Sequence, residues 1–506
     1  MSSAVYRLAY ELLVQIFVEV RNAAQEHDEQ GARYNFRWIS VSHVCRTWRE
    51  VAIDCPKLWS TIYVAGGAPI IWIKEQLLRS KRIPLTVLAD SETSLLDQSI
   101  QDRRGELEGL VMTESPRIFE LRLRADVRKL KLLRMGAPVL QKLVLVNDTR
   151  DDNRDDTGVI PNLLFDGETP SLVHLEIHYY PSSWDHSLLS PNLMHLEISA
   201  RNEYQFDLRG MLAALERMPL LETLGLVLGR KMSFFVVILP ARKVSLSHLR
   251  YIRLGGRPWA CGAVLDYLDF PETATIALVL SDTPRGFRGL VHQIVTCSQR
   301  LGPLQALSMD SNEPHSGAND TRLHRLRTWH DVREGALPWA QDGPPPRIDL
   351  TLTSPGKFDR LPTRILEIIA DEFLGTDVHT LYVSGQCVSS ILGWSSIFEL
   401  FPNVSTLHAV DLYNPHPHFF ITDALGVDSL PRLRTLSLGG LNFCLACVDC
   451  PTKRFFEDLL WCLKYRRSRI EELDISRCYR GGAWVADEFR KVVGHVSPEY
   501  DSKARY

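Results

Sequence analysis

A chain of 506 residues is longer than one ordinary domain and reads as several units or one long repeat array, and its 45% hydrophobic content is enough for a large buried core. With 58 basic residues against 61 acidic ones and a formal charge of -3, the overall balance draws the chain neither to nucleic acid nor to an anionic membrane. Composition points to a folded protein and implies neither partner.

The N-terminal stretch MSSAVYRLAYELLVQIFVEVRN has no charged region ahead of its apolar residues, which Glu11, Gln15 and Glu19 interrupt, so it does not read as a signal peptide. The strongest apolar run, FFVVIL at 234–239, stops at Pro240 and falls short of the roughly 20 residues a spanning helix needs. Ten cysteines in such a chain are expected to be thiols in a reducing compartment, which places the protein in the cytoplasm or nucleus. The sequons at Asn147, Asn319 and Asn403 matter only in a secreted chain.

From Leu8 the apolar positions Leu8, Leu12, Leu13, Ile16, Phe17 and Val20 lie along one side of a helix. The polar segment AAQEHDEQGARYNF reads as a loop. A second helical run begins near Ser40, with Val41, Val44, Cys45, Trp48, Val51 and Ala52 on one stripe, and Pro56 ends it because proline lacks an N–H and disfavours helix in the residue before it. Two short helices bury little alone, so the module is expected to lean on the domain behind it or on a partner.

LAYELLVQIF, followed after a gap by VSHVCRTWREVAIDCPKLWSTI, resembles the F-box of basidiomycete-type fungal F-box proteins. The second string matches that pattern almost position by position; in the first, Ala9 stands where the family has a proline suited to the first helical turn. The resemblance implies that residues 1–66 dock a Skp-family adaptor, and through it a cullin, by way of Leu8, Glu11, Leu12, Ile16, Phe17, Val41, Val44, Cys45 and Trp48. Read from the residues alone, the same stripes also serve to pack the helices on each other, and Trp59 is expected to anchor the module to the next domain.

Across 67–506 a string recurs: proline or serine, one residue, an aliphatic, two residues, leucine, one residue, an aliphatic. It appears as PSLVHLEI from Pro170, PNLMHLEI from Pro191, PLLETLGL from Pro219, SHLRYIRL from Ser247, PNVSTLHA from Pro402, PRLRTLSL from Pro431 and SRIEELDI from Ser468, with a looser PVLQKLVL from Pro138. The early spacing fits leucine-rich repeats, and L-x-x-L-x-L is a short strand whose aliphatics alternate inward. Helical patterns lie between, at 208–218 and 455–466. The expected fold is α/β: a short N-terminal helical module, then an irregular leucine-rich-repeat-like solenoid of parallel strands and helices, a horseshoe in which the usual asparagine after the strand is mostly missing.

Residues 281–348 are rich in Gly, Pro, Ser, Asn and Asp and are expected to be long loops or an insertion, although PLQALSM from Pro303 is repeat-like. LPTRILEIIADEFLG from Leu361 echoes the first F-box helix, but no H-V-C-R-x-W comes after it, so it is expected to be a repeat helix.

The sequence offers little catalytic chemistry. Cys444, Cys447 and Cys450 cluster without the second pair that a tetrahedral zinc site commonly uses, and buried small side chains account for them as well. His43 and Cys45 are two apart and point different ways on a helix, and no G-x-x-x-x-G-K, H-E-x-x-H or G-x-S-x-G is present. The expectation is therefore a non-enzyme with no cofactor or metal ligands: a substrate-recognition subunit of a Skp–cullin–F-box ubiquitin ligase whose repeats hold an unknown target protein. The outward strand positions His174, Glu176, His195, Glu197, Thr223, Arg253, Thr435 and Glu472 are the candidate target-reading residues. The competing expectation is a leucine-rich interaction scaffold with a vestigial F-box.

Overall fold

The recurring proline occupies the second position of a tight turn. In six repeats the N–H two residues after the proline donates to the carbonyl of the residue before it: Leu140 to Ala137 at 3.1 Å, Leu172 to Thr169 at 3.2 Å, Leu193 to Ser190 at 3.2 Å, Leu221 to Met218 at 3.3 Å, Val404 to Phe401 at 3.3 Å and Leu433 to Leu430 at 3.0 Å. Proline pre-sets φ for that position, and the aliphatic that closes each turn is fully buried. The turn thus aims the chain into a strand with its first leucine already in the core.

The computed structural model describes residues 8–26, 36–64, 69–89, 98–147, 159–181, 183–199, 207–229, 242–281, 286–298, 302–312, 321–330, 343–355, 361–373, 377–384, 391–410, 421–426, 428–443, 451–479 and 483–497. The chain divides into two units, Met1–His248 and Leu249–Tyr506. Among the described residues no helix is long and apolar enough to cross a membrane.

The first unit opens with α1 (Tyr10–Glu26), a 3-10 helix (Phe36–His43), α2 (Arg46–Asp54), α3 (Pro56–Trp59), β1 (Thr61–Tyr63) and α4 (Ile70–Arg79). It continues through β2 (Leu85–Ala89), α5 (Gln98–Met112), β3 (Ile118–Ala125), α6 (Val127–Leu130), β4 (Lys142–Asn147), β5 (His174–His178), β6 (His195–Ser199), α7 (Leu208–Glu216) and β7 (Thr223–Val227). β1 to β7 pair in chain order, each parallel to the next. Their register forms one continuous column, Ile62, Val87, Leu121, Leu143, Leu175, Leu196 and Leu224, all fully buried. Because side chains alternate along a strand, the residues on either side of this column form the opposite face of the sheet. There Thr86, Glu120, Lys142, His174, His195 and Thr223 stand in one row, and Leu88, Arg122, Val144, Glu176, Glu197 and Gly225 in the next. β1 already belongs to this sheet, so residues 8–64 are part of the first unit.

In the second unit Tyr251–Gly256, Thr275–Ser281 and Ile348–Pro355 run parallel to one another. The strand Thr321–Trp329 then lies antiparallel between Ile348–Pro355 and Ala306–Asn312. From Ala306–Asn312 the parallel order resumes through Thr380–Ser384, Thr406–Val410, Thr435–Asn442, Glu472–Tyr479 and His495–Ser497. Leu307, Leu381, Leu407, Leu436, Leu473 and Val496 make a second buried column.

The expectation of loops across 281–348 is corrected here. The described part of that region holds the helix Phe287–Ser298 and the strands Ala306–Asn312 and Thr321–Trp329. Thr321–Trp329 is hard to see in the sequence because its inward positions include the polar His324 and Thr328, both buried, so its hydropathy does not alternate. Its outward arginines make cross-strand ion pairs instead, Arg325 with Asp349 at 2.5 Å and Arg327 with Asp310 at 2.7 Å. The string from Leu361 forms the helix Leu361–Phe373, with Ile365, Leu366 and Ile369 buried. Both helical patterns expected between the strings form helices, Leu208–Glu216 and Pro451–Tyr465.

Candidate docking surfaces

The single apolar stripe expected for the first helix divides into two. Leu13 and Phe17, with Val18, turn into the module's core, whereas Leu12, Ile16 and Val20, four residues apart and so on one face, remain 48%, 41% and 39% exposed. Tyr10 and Glu11 are also exposed, and Leu8 packs half-buried against the core. Six apolar residues across 8–20 cover too wide an arc for one buried face, and the pattern alone does not say which side goes in.

The second stripe is corrected more sharply. Phe36–His43 is a 3-10 helix, and α2 begins only at Arg46. Cys45 is its N-cap: its backbone is extended (φ -156°, ψ 173°), and its sulfur accepts the Trp48 N–H at 3.4 Å. Cys45 therefore does not share a helical stripe with Trp48. Val41 is buried in the core and Val44 is 60% exposed.

The core into which these residues pack is built from Leu13, Phe17, Trp38, Val51, Ala52, Leu58 and Trp59 among others, with Trp48 against its edge. Trp59 joins both sides of it. Its ring lies 5.3 Å from that of Trp38 and 5.8 Å from that of Trp72 on α4, Arg79 sits 4.3 Å above it, and its indole N–H donates to the Ala52 carbonyl at 2.9 Å. Pro56 stands at the start of α3, so the chain bends there and brings Trp59 back under α2. Of the nine residues predicted to bind an adaptor, Phe17 and Val41 lie inside the module. Leu8, Cys45 and Trp48 are half-buried, and Glu11, Leu12, Ile16 and Val44 face solvent. Val20 and Ile53, outside that predicted set, are exposed apolar residues of the module as well.

The candidate target-reading residues all lie on strands. His174, His195 and Thr223 occupy adjacent positions of one row, Glu176 and Glu197 adjacent positions of the next, and Thr435 pairs in register with Glu472. The register brings His174 and His195 into a stack, with ring centroids 3.8 Å apart and planes inclined by 4°. Glu176 lies between two imidazoles, with Oε1 2.6 Å from His174 Nε2 and Oε2 3.2 Å from His178 Nε2, and His178 Nδ1 is 3.2 Å from Ser199 Oγ. Hydrogen bonds from His174 and His178 hold the Glu176 carboxyl well below the usual carboxylate range, although burial opposes this. Burial, with the nearby His174, pushes His195 down to about 4. Sequence reasoning missed this grouping, although H-x-E-x-H at 174–178 places all three side chains on one face of a strand.

Cys444, Cys447 and Cys450 lie outside the described residues. Burial pushes the Cys261 and Cys478 thiols up to about 12, which leaves neither reactive at neutral pH.

Residues 10–65 match the F-box-like family model. No curated protein matches the chain. The matched segment coincides with the helical module and ends just beyond β1. It supports an F-box protein, and F-box domains in general bind Skp-type adaptors and are not catalytic.

Proposed function

We propose that this chain is a substrate-recognition subunit of a Skp–cullin–F-box ubiquitin ligase, in which the N-terminal module docks a Skp-family adaptor and the strand-and-helix units hold a target protein. The observation that carries the reading is the exposed apolar row Leu12, Ile16 and Val20 on α1, inside an F-box-like match. Each half-exposed aliphatic gains roughly 1 kcal/mol when a partner covers it, so the row offers a docking strip without any change in the module's core. Glu11 beside it supplies a charge that orients a partner. The turn-and-strand strings are consistent with a leucine-rich-repeat-like stack, whose outward rows are suited to reading a target. No residue of the chain needs to perform chemistry: a tethered target meets the charged conjugating enzyme at high effective concentration.

Co-expression of the full chain with a Skp-family adaptor, followed by size-exclusion chromatography, tests the reading. The two proteins are expected to co-migrate, and Leu12→Ala/Ile16→Ala is expected to separate them at unchanged circular dichroism. A wild-type chain that elutes apart from the adaptor would overturn the ligase reading and leave the repeat scaffold in its place.

A further inference from the structure

We propose that His174, Glu176 and His195 form a binding site for a divalent transition-metal ion, zinc above all, on the outer face of the first unit's sheet. The parallel register places His174 beside His195, and the two-residue period places Glu176 on the same face as His174. One donor atom from each of the three lies within 4.8 Å of the others. Two imidazoles and a carboxylate suit zinc, copper or nickel better than calcium or magnesium, which favour oxygen-rich sets.

Two further observations point to a ligand. His195 Nε2 is buried without a hydrogen-bond partner, an arrangement that normally costs free energy. His174 and His195 also stack face to face at 3.8 Å, which leaves their ring nitrogens close together on adjacent strands. Around one tetrahedral ion with bonds of about 2.1 Å, ligand atoms stand about 3.4 Å apart, so modest side-chain rotations open the 2.6 Å contact between His174 and Glu176 and draw His195 in. His178 belongs to the support: it links Glu176 to Ser199 and would hold the carboxylate in place, as outer hydrogen bonds commonly do for metal ligands. The nearest cation in the row, Lys142, is drawn the other way, 3.2 Å from Glu120. Three protein ligands leave at least one position for water or for a side chain of a bound protein.

The test is titration of the chelator-stripped full chain with zinc chloride by calorimetry, and with cobalt(II) followed by visible absorption. The expected result is one equivalent bound with a tetrahedral cobalt spectrum. Affinity should fall at least about tenfold in His195→Gln and in Glu176→Gln, and by less in Ser199→Ala. His292→Gln, at a histidine–carboxylate pair elsewhere, should leave binding unchanged. Absence of stoichiometric binding, binding that His195→Gln does not weaken, or a thiolate-to-cobalt charge-transfer band would each overturn the proposal, the last by showing cysteine ligation. That spectrum is read on the wild-type chain, so it decides even if a variant misfolds.

Discussion

The ring of Phe17 lies 5.0 Å from the ring of Trp48, inclined by 58°, so the most deeply buried aromatic of α1 is held against the first turn of α2. The two helices thus meet through Phe17, which a partner cannot reach without opening the module, and the half-buried Trp48, while the neighbouring Leu12 and Ile16 stay available. The first prediction separates these roles. Phe17→Ala should cost about 3–5 kcal/mol of stability by removing a fully buried ring, whereas Leu12→Ala should cost less than about 1 kcal/mol. Urea unfolding of the full chain, followed by tryptophan fluorescence, checks both, and equal losses would contradict the division of α1 into two faces.

The N-cap of α2 gives a second prediction. A thiol is a weak acceptor for the Trp48 N–H, and serine at the same position is a strong one. Cys45→Ser should stabilise the chain by about 0.5–1 kcal/mol, while Cys45→Ala should give no gain. Thermal melting of the three proteins decides the matter; a serine variant that melts at or below the wild type removes the capping role.

Arg466 carries a third. Its guanidinium is buried and donates to the carbonyls of Leu425 at 3.1 Å, Ser429 at 2.7 Å and Leu430 at 2.9 Å, the last in a residue with φ of 47°. Burial holds its pKa below the usual arginine value. A lysine ammonium cannot reproduce a planar fork across three carbonyls. Arg466→Lys should therefore cost about 2–3 kcal/mol through carbonyls left unsatisfied, read as a lower urea midpoint; an unchanged midpoint would mean that the turn holds itself.

Two histidines set a pH dependence. His186 Nε2 donates to the Pro161 carbonyl at 2.9 Å, and its Nδ1 accepts the Leu188 N–H at 3.1 Å, so the ring is neutral, and burial lowers its pKa from 6.5. His408 is pushed down to about 4 by burial, with Arg477 adding to the effect and Asp474 opposing it. Unfolded histidines take up protons near pH 6.5, and these two resist until lower pH, so the unfolded state binds more protons as pH falls. Their contribution is complete above about pH 6.5 and is lost progressively towards pH 4, by at most about 3 kcal/mol for His408 before solvent screening reduces it. Unfolding midpoints measured between pH 7.5 and pH 4.5 should fall less steeply in His408→Gln than in the wild type; parallel curves would sink the assignment.

Much of the strand framework is legible because the turn proline and the inward leucines announce themselves. Leu172, Leu175 and Ile177 of PSLVHLEI are all buried, as the string requires. PRIFELRL from Pro116 carries the same string, and Ile118 closes the same turn onto Ser115, so β3 is equally readable, a repeat that sequence reasoning missed. Other strands give weaker signals: Thr380–Ser384 has no proline ahead of it, and Thr321–Trp329 buries polar groups. At the N-terminal module the sequence locates the first helix but not its facing, because Leu12 and Leu13 are chemically alike and only packing sends Leu13 inward. The His174–His195 stack depends on register between strands, which no single stretch of sequence records.

The reversed strand Thr321–Trp329 bears on how the second unit acquires its structure. Its two pairings join segments that are neighbours along the chain, whereas Thr275–Ser281 must wait for Ile348–Pro355 and Ala306–Asn312 for Thr380–Ser384. Closing the nearer pairs loses less chain entropy than closing the two that reach around them. The chain entropy lost in forming this unit is therefore concentrated at the two pairings that close around the reversed strand, Thr275–Ser281 with Ile348–Pro355 and Ala306–Asn312 with Thr380–Ser384.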